Sequence, residues 1–382
     1  MLKVVYIVTT VDGYGADKSI LNNILFLSRN KFVDPLVIIP KAGFIEYQLQ
    51  ENHIKYLICD YKSWFVGAKW FFSNSIKRGI KANYNKLKAY FLAKKILKNN
   101  YADIVHTNTM TTNFGMCLSR FLRSKHIMHI RELPIEQFNF KYEYGEDETV
   151  RLISRESQYI VVNSEYVASK FRPLFNRNKL TVVNNGIFSD RLNNNPNSYD
   201  FRDGIRFVIA GRLQEDKGQM IALKAMAILK KKAQFKMHLD IYGDGELRDE
   251  LYFFIKRNKL NELVTMIPYV KDLNARLRNY HVGLICSRCE AFGRAIVEYM
   301  GSGLAVIGND SGNIPLLISD RGNGLLVSLN DPNDLAEKIL YLIQNNYMIR
   351  QYGQKGYELV RENYTIRESS QKLMGVYQEV VI

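Results

Sequence analysis

The chain has 382 residues, a hydrophobic content of 47% and a formal net charge of +15. This length and content suit two domains that each bury a real core. Its four cysteines (Cys59, Cys117, Cys286 and Cys289) are too few and too scattered for a disulfide framework, and no apolar run is long enough to span a membrane. The N-terminus is typical of a first strand and lacks the features of a signal peptide, so we expect a cytoplasmic protein.

Apolar strands alternate with amphipathic helices along the chain, which predicts α/β architecture with doubly wound parallel sheets. Two series of strands flank an Asn- and Pro-rich segment, so we expect two Rossmann-like domains. The boundaries we predict are 1–187 for the first domain, 188–204 for the linker, 205–363 for the second domain and 364–382 for a terminal helix. The expected strands are 3–9, 36–40, 103–106, 127–130, 160–163, 181–184, 207–211, 237–242, 264–267, 282–286, 305–308 and 325–328.

The first strand runs into a turn that contains Gly13 and Gly15, followed by a helix. Its spacing is not G-x-G-x-x-G, so a dinucleotide site is not predicted. The residues alone indicate a tight turn between the strand and the helix.

Residues 61–100 hold ten Lys or Arg residues and no acidic residue, interleaved with aromatic residues that include Trp64 and Trp70. Apolar residues recur there at helical spacing, at Ile76, Ile80, Tyr84, Leu87 and Phe91, beside Lys77, Lys81, Lys88 and Lys95. A basic amphipathic helix with aromatic anchors predicts a membrane-surface element. The alternatives are a core-packed helix with a solvated lysine face, and a nucleic-acid surface that no recognised module accompanies.

Two histidines lie at strand ends. His106 ends one expected strand, and His129 lies in the next, directly before Arg131 and Glu132. A histidine in this position is either a hydrogen-bonded structural residue or a member of a site, and the sequence leaves both interpretations open.

In the second half, an apolar strand ends at Gly211, and the following loop carries Arg212 and Lys217. A guanidinium and an ammonium together suit a diphosphate. A loop directly after a buried strand is also where open α/β sheets bind ligands.

Downstream, Glu290 and Glu298 bracket a glycine turn at Gly293 that follows a strand and opens a helix. Free N–H groups and the helix dipole make such a turn an anion site. Carboxylates would repel phosphate and suit hydroxyl groups, so the pattern predicts a sugar nucleotide. The alternative is that Glu298 is only a polar helix position.

Gly-Arg-Leu-x3-Lys-Gly at 211–218, followed by Glu-x7-Glu at 290–298, resembles the family 4 retaining glycosyltransferases of GT-B fold. Tyr-Gly-Asp-Gly at 242–245, Asn-Gly at 185–186 and the glycine-rich residues 301–327 agree with it. The resemblance covers essentially the whole chain and is strongest over 205–330. It implies an interdomain cleft, and a C-terminal helix that returns to the first domain.

The resemblance also implies residue roles. Arg212 and Lys217 would neutralise the leaving diphosphate, while Glu290 and His129 would contact the sugar and Glu298 the ribose. The donor-binding set would further include Gly15, Gly211, Gly243, Phe292, Gly293 and Arg294. His106, Arg131 and Glu132 are acceptor-side candidates with open roles. With no Asp-x-Asp motif present, we expect no metal and no cofactor besides the donor.

The implied activity is hexosyl transfer from a nucleoside diphosphate sugar, with UDP favoured, to a lipid-linked saccharide. Such a reaction belongs to lipopolysaccharide, capsule or glycolipid synthesis at the cytoplasmic face of the plasma membrane. The expected partners are the donor, the acceptor and an anionic membrane surface, without nucleic acid. The alternatives are a nucleotide-sugar epimerase of the same fold, a glycosyltransferase with a soluble acceptor, and a non-catalytic membrane or nucleic-acid binding protein.

Overall fold

The computed structural model of the chain describes residues 1–11, 15–67, 75–98, 102–138, 140–175, 179–192, 200–232 and 236–382. The side chains of residues 66, 67, 75–82, 138 and 140 also lie outside this description. Contacts divide the chain into two compact units. Unit 1 comprises Met1–Gly186 with Ile366–Ile382, and unit 2 comprises Ile187–Thr365.

Unit 1 is built on a seven-stranded parallel sheet with the order β3-β2-β1-β5-β6-β8-β9, and β4 and β7 form a separate antiparallel pair. Its strands are β1 (Leu2–Val8), β2 (Val33–Ile39), β3 (Lys55–Ile58), β4 (Phe65–Gly67), β5 (Ile104–Asn108), β6 (Lys125–Ile130), β7 (Phe140–Tyr142), β8 (Tyr159–Val162) and β9 (Lys179–Val182). The accompanying helices are α1 (Gly15–Arg29), α2 (Phe44–Glu51), α3 (Ser75–Leu97), α4 (Phe114–Leu122), α5 (Pro134–Phe138), α6 (Glu146–Glu156) and α7 (Glu165–Phe171).

Unit 2 is built on a six-stranded parallel sheet with the order β12-β11-β10-β13-β14-β15. Its strands are β10 (Ile205–Ala210), β11 (Met237–Tyr242), β12 (Val264–Ile267), β13 (Val282–Ile285), β14 (Ala305–Asn309) and β15 (Leu325–Val327). Its helices are α8 (Gln219–Lys232), α9 (Arg248–Arg257), α10 (Asn274–Leu277), α11 (Arg294–Gly301), α12 (Ile314–Leu317), α13 (Pro332–Gln344) and α14 (Tyr347–Asn363).

The last helix, α15 (Ile366–Val381), belongs to unit 1 and packs on α1. The buried amide of Asn23 donates hydrogen bonds to the hydroxyls of Ser369, at 3.1 Å, and Ser370, at 3.0 Å. Leu373, Val376 and Tyr377 are buried on the same helix. A buried polar pairing between two helices fixes their register, because a shift would leave the Asn23 amide without partners.

Each sheet has one point where the strand order reverses. In unit 1, β1 lies between β2 and β5, and in unit 2, β10 lies between β11 and β13. Loops that leave the carboxyl ends of two such neighbouring strands diverge to opposite faces, and ligands of open α/β sheets bind in the crevice between them. The fold therefore directs attention to the loops after β1 and β5, and to those after β10 and β13.

The predicted fold of two parallel-sheet α/β domains is confirmed, and every expected strand is present with bounds shifted by a few residues. The sequence pattern missed β3, β4 and β7. β3 is an edge strand whose side chains are exposed or half-buried, and β4 and β7 are short and pair only with each other. Among the described residues, no helix is both long enough and apolar enough to cross a bilayer.

The structure shows which side of the helix in the basic segment packs on unit 1. Along α3 the buried side chains include Ala89, Leu92, Ala93 and Ile96, which pack into the core of unit 1. The predicted apolar face at Leu87 and Phe91 is instead exposed. The helix therefore packs on unit 1 through a different side, on which Ala89 and Ala93 lie with Leu92 and Ile96.

Trp64 is also not a surface anchor. Its side chain is buried, and its indole N–H donates to the carbonyl of Met110 at 2.6 Å. Trp70 lies outside the described residues, as do the side chains of Ile76, Ile80, Lys77 and Lys81.

Candidate functional site

In unit 2, the loops after β10 and β13 are joined to each other directly. Gly218 has a left-handed backbone with φ of +67°, and a Cβ there would lie 2.1 Å from the carbonyl oxygen of Cys286. Only glycine allows both the conformation and this approach. The backbone N–H of Arg288 donates to the carbonyl of Asp216 at 2.8 Å. The two loops therefore form one framework.

This framework brings together Lys217 and Glu290, which lie 73 positions apart in sequence. The Lys217 Nζ is 2.8 Å from the Glu290 carboxylate and 3.7 Å from that of Asp216. Burial works against the charge of Lys217, but the carboxylates of Glu290 and Asp216 outweigh it and raise the pKa of Lys217 above its ordinary value. The site thus keeps a charged ammonium at the carboxyl ends of the two central strands.

Asparagines at the end of β14 and in the segment after it form hydrogen bonds with the loop that carries Glu290. The backbone N–H of Asn313 donates to the Glu290 carbonyl at 2.9 Å, and the Asn313 amide donates to the Phe292 carbonyl at 2.7 Å. The Asn309 amide donates to the Cys286 carbonyl at 2.8 Å. These bonds fix the backbone of residues 286–292, while the Phe292 side chain packs in the core beside Tyr364.

Gly293 precedes α11 as its N-cap, with φ of +92°. The first N–H groups of such a helix lack intrahelical acceptors and favour an anion. Arg294 is the first residue of α11, and Glu298 lies one turn further on. The Arg294 guanidinium is 2.9 Å from the Glu298 carboxylate, and each side chain is only 17% exposed. Glu298 is therefore held in place by an ion pair, which a plain surface position of a helix does not require.

The turn after β11 packs against the turn after β10. A Cβ on Gly243, where φ is +142°, would lie 1.9 Å from the Gly211 carbonyl oxygen. Gly211 donates its N–H to the Tyr242 carbonyl at 3.0 Å. Arg212 has an exposed side chain, and its carbonyl accepts from the Gln219 amide at 2.8 Å.

In unit 1, His129 lies in β6 and His106 in β5, and both rings are fully buried. His129 Nδ1 is 3.1 Å from His106 Nε2 and 3.2 Å from Arg131 Nη2. Burial, with the Arg131 charge, holds the pKa of both histidines well below the ordinary value, so both rings are neutral. His129 Nε2 is buried without a hydrogen-bond partner among the described residues.

Arg131 and Glu132 are buried next to these histidines. The Arg131 guanidinium donates to the side-chain oxygens of Asn108 and Asn185. The Glu132 carboxylate accepts from the backbone N–H groups of Met110, at 2.7 Å, and Arg131, at 3.0 Å. Burial nevertheless raises the pKa of Glu132 to about 7. This part of unit 1 is a polar cluster at the carboxyl ends of β5 and β6.

Gly15 is the first residue of α1, with φ of +41°, and its carbonyl accepts from the Ser19 hydroxyl at 2.9 Å. The preceding residues 12–14, including Gly13, lie outside the described residues. Of this predicted turn, the structure describes only Gly15, where α1 begins.

The structure thus groups the predicted residues in two clusters. In unit 2, Lys217 contacts Glu290, and Arg294 contacts Glu298. In unit 1, His129 contacts both His106 and Arg131.

Sequence reasoning missed the partners that hold these clusters: Asp216, Asn309, Asn313, Asn108 and Tyr377. A weak signal was available for Asn185, which the Asn-Gly pair marks. The other contacts join distant segments and leave no local pattern. Among the described residues, no group of three or more His, Cys, Asp or Glu side chains is arranged to hold a metal ion.

Comparisons with known proteins agree with this geometry. Residues 72–191 match the profile "Glycosyltransferase Family 4", and residues 193–359 match "Glycosyl transferases group 1". Together the two matches span well over half of the chain.

Among curated relatives, a Campylobacter jejuni protein is 26% identical over 355 residues, covering 92% of this chain and 91% of its own length. It is named GalNAc-alpha-(1->4)-GalNAc-alpha-(1->3)-diNAcBac-PP-undecaprenol alpha-1,4-N-acetyl-D-galactosaminyltransferase. A Staphylococcus aureus poly(ribitol-phosphate) alpha-N-acetylglucosaminyltransferase is 30% identical over 135 residues, or 35% of this chain and 27% of its own.

Solved structures share the fold. Anabaena Alr3699/HepE in complex with UDP superposes with a TM-score of 0.79 at 17% identity, over 99% of this chain and 100% of that one. Sucrose-phosphate synthase from Thermosynechococcus elongatus gives a TM-score of 0.76 at 15% identity, over 99% of both chains.

If Lys217 contacts the donor diphosphate as the sequence predicts, replacing it with Ala should greatly reduce the stabilisation of the protein by UDP, because a charge-assisted contact with phosphate is lost. The measurement is the rise in unfolding temperature on adding UDP. Lys338→Ala is the matched control, since Lys338 lies in the same unit, pairs with Asp334 and has a side-chain exposure of 24% against 25% for Lys217. Equal UDP stabilisation of both variants would contradict the assignment of Lys217.

Proposed function

The chain belongs to the family 4 glycosyltransferases of GT-B fold, and from this premise we propose that it moves a hexose from a UDP-sugar, with retention of anomeric configuration, onto a lipid-linked saccharide. That the enzyme is a glycosyltransferase with a nucleotide-sugar donor is established by its family. The observation that carries the finer proposal is the Lys217–Glu290 pair beside the first turn of α11.

The donor diphosphate lies against Lys217 and the first N–H groups of α11, with Arg212 as a second cation. Glu298, held by Arg294, accepts hydrogen bonds from the ribose hydroxyls. Glu290 accepts one from a sugar hydroxyl while it remains close to Lys217. Neutral hydroxyl donors satisfy both carboxylates, whereas phosphate in the same positions would be repelled.

In the transfer step, the bond between the anomeric carbon and the β-phosphate oxygen breaks, and negative charge builds on that oxygen. Lys217 and Arg212 stabilise this charge, and each such contact lowers the barrier by about 3 kcal/mol. The acceptor hydroxyl attacks from the side of the leaving group, and its proton passes to the departing phosphate oxygen. Retention then requires no protein carboxylate as nucleophile, which agrees with the engagement of Glu290 by Lys217.

We assign to His129 Nε2 the contact with the transferred sugar that the family resemblance implies. The ring is neutral, so this contact is an ordinary hydrogen bond and leaves the sugar without an added charge. Arg131, held by Asn108 and Asn185, keeps positive charge on the same cluster.

The lipid-linked acceptor is supported by the Campylobacter relative, which matches over nearly the full length of both chains and is named for an acceptor that carries PP-undecaprenol. UDP as the nucleotide is supported by the Anabaena protein of the same fold, which binds UDP and UDP-glucose. A lipid-linked acceptor requires the enzyme to work at a membrane surface.

The exposed face of α3 suits such a surface. Leu87 and Phe91 are 57% and 59% exposed and lie one helical turn apart, with Tyr90 and Leu97 also exposed. Four lysines in the C-terminal half of α3 and directly after it are exposed, and a fifth is half-buried. The exposed lysines are Lys86, Lys94, Lys95 and Lys98, and the half-buried one is Lys88. Lys94 lies over the Tyr90 ring, 4.4 Å from its centroid.

This combination favours reversible binding to anionic lipid. Each cation near an anionic surface contributes about 1 kcal/mol, and the contribution falls as salt increases. The exposed Leu87 and Phe91 side chains add to this binding, because they can insert between the lipid headgroups and bury apolar area there. We propose that this face of α3, at the cytoplasmic side of the plasma membrane, holds the enzyme where its acceptor is anchored.

The direct test incubates the enzyme with UDP-sugars and a polyprenyl-diphosphate-linked saccharide. We expect one UDP-sugar to be consumed only when the acceptor is present, with a product whose anomeric configuration by NMR matches that of the donor. Because no residue of the proposed step uses a metal, EDTA should leave the rate unchanged.

Other products would decide between the alternatives. An epimerised sugar formed from the donor alone would indicate a nucleotide-sugar epimerase, and transfer to soluble sugars at an equal rate would exclude a dedicated lipid-linked acceptor. An inverted anomer would refute the proposed step, and loss of activity in EDTA, restored only by a divalent ion, would refute metal independence.

Reversing three charges of α3, in the triple variant Lys88→Glu, Lys94→Glu and Lys95→Glu, should weaken binding to anionic vesicles by about 3 kcal/mol, or more than about 100-fold. Vesicle co-sedimentation at low salt measures this. The matched control reverses three exposed lysines of α8 in unit 2, Lys224, Lys231 and Lys232. If both triple variants lose binding equally, net charge and not the α3 face is responsible.

A further inference from the structure

Four buried side chains of unit 1 form a continuous chain of polar contacts that begins on the C-terminal helix. The Tyr377 hydroxyl of α15 lies 2.7 Å from His106 Nδ1. His106 Nε2 lies 3.1 Å from His129 Nδ1, which is also 3.2 Å from Arg131 Nη2. All four side chains are 6% exposed or less.

The arginine fixes the direction of every proton in this chain. A guanidinium only donates hydrogen bonds, so His129 Nδ1 must be the acceptor of Arg131. A neutral imidazole carries one proton, which in His129 therefore lies on Nε2. Arg131 cannot turn away freely, because Asn108 and Asn185 accept its other N–H groups.

The same logic extends to His106 and Tyr377. Since His129 Nδ1 is an acceptor, His106 Nε2 must be protonated and donate to it. His106 Nδ1 then lacks a proton and accepts the hydroxyl proton of Tyr377. The Tyr6 hydroxyl oxygen, at 3.2 Å, is a second possible acceptor for the Tyr377 hydroxyl, but His106 Nδ1 is closer, at 2.7 Å, and takes the proton.

We propose that Tyr377 is a positioning residue: Arg131 sets the His129 tautomer that presents an N–H donor at Nε2, and Tyr377 acts through His106 to hold the His129 ring in the orientation that this tautomer requires. The atom that His129 meets must then be an acceptor oxygen of the transferred sugar, a hydroxyl or carbonyl group, and not a donor. This last step rests on the proposed function, whereas the tautomer itself does not. The terminal helix thereby controls the chemistry of a strand residue nearly 250 positions earlier.

Removing the Tyr377 hydroxyl leaves His106 Nδ1 without its donor. The proton of His106 is then free to move to Nδ1, which turns Nε2 into an acceptor that faces the acceptor Nδ1 of His129. Two lone pairs at about 3 Å repel each other, so the His129 ring loses its fixed orientation.

The test is 15N NMR of the full chain labelled with [15N]histidine, with signals assigned from His106→Gln and His129→Gln. In the wild-type protein we expect His129 and His106 both to show a pyridine-like Nδ1 and a pyrrole-like Nε2. In Tyr377→Phe, His106 should become a mixture of tautomers. Tyr6→Phe is the matched control, because it removes one hydroxyl from the same cluster and should leave both tautomers unchanged.

The kinetic counterpart is a fall in kcat of about 10-fold for Tyr377→Phe, with the affinity for UDP unchanged, since UDP binds in unit 2. A purely structural role would instead lower the unfolding temperature without changing the tautomers. A pyrrole-like Nδ1 at His129 in the wild type, which requires no variant to fold, would overturn the proposal. The proposal would also be overturned if the Tyr377→Phe and Tyr6→Phe variants gave the same histidine 15N spectra as each other. If no UDP-sugar is transferred but the tautomers are as expected, the proposed function fails and the tautomer assignment stands.

Discussion

A lysine that is largely buried stays charged when a carboxylate lies beside it. In unit 2 this requirement is met by the contact between Lys217 and Glu290. Lys217 and Glu290 come from loops after neighbouring strands, so the pair exists only if both loops hold their shape. Gly218 against Cys286 sets their spacing, and Asn309 and Asn313 fix the backbone of the second loop. The preorganised charge that a leaving diphosphate needs is thus a property of the fold.

Unit 1 also buries a cation, but there the hydrogen-bond partners of the cation are neutral side chains. The buried Arg131 is held by two amide oxygens and a histidine nitrogen. Its charge contributes to the low pKa of His106 and His129 and dictates which nitrogen carries the proton. Unit 2 therefore holds its cation where its strand order reverses, and unit 1 holds Arg131 at the carboxyl end of β6, next to β5. Both cations lie at the sheet edge where an open parallel sheet binds ligands.

The sequence was sufficient for whatever depends on local pattern. Strands buried on both faces are long apolar runs, so the two sheets were predictable, whereas the edge strand β3, whose side chains are exposed or half-buried, was not. The loop motifs placed Lys217, Glu290 and Glu298 in one region, but they did not reveal the ion pairs of Lys217 with Glu290 and of Arg294 with Glu298. The helical period of α3 was visible, but the side that packs on the core was not, because it carries the small Ala89 and Ala93 beside Leu92 and Ile96. The contact of Tyr377 with His106 joins segments 271 positions apart and has no local signature.

The most direct test of the donor site compares UDP with the UDP-sugar by calorimetric titration of Glu290→Gln. Glu290 is proposed to bind the sugar and to share Lys217 with the diphosphate, so the substitution removes a negative charge near phosphate and a hydrogen-bond acceptor of the sugar. The account predicts that UDP binds Glu290→Gln as tightly as wild type or more tightly, while the extra affinity contributed by the sugar is lost. Weaker UDP binding with the contribution of the sugar intact would contradict it.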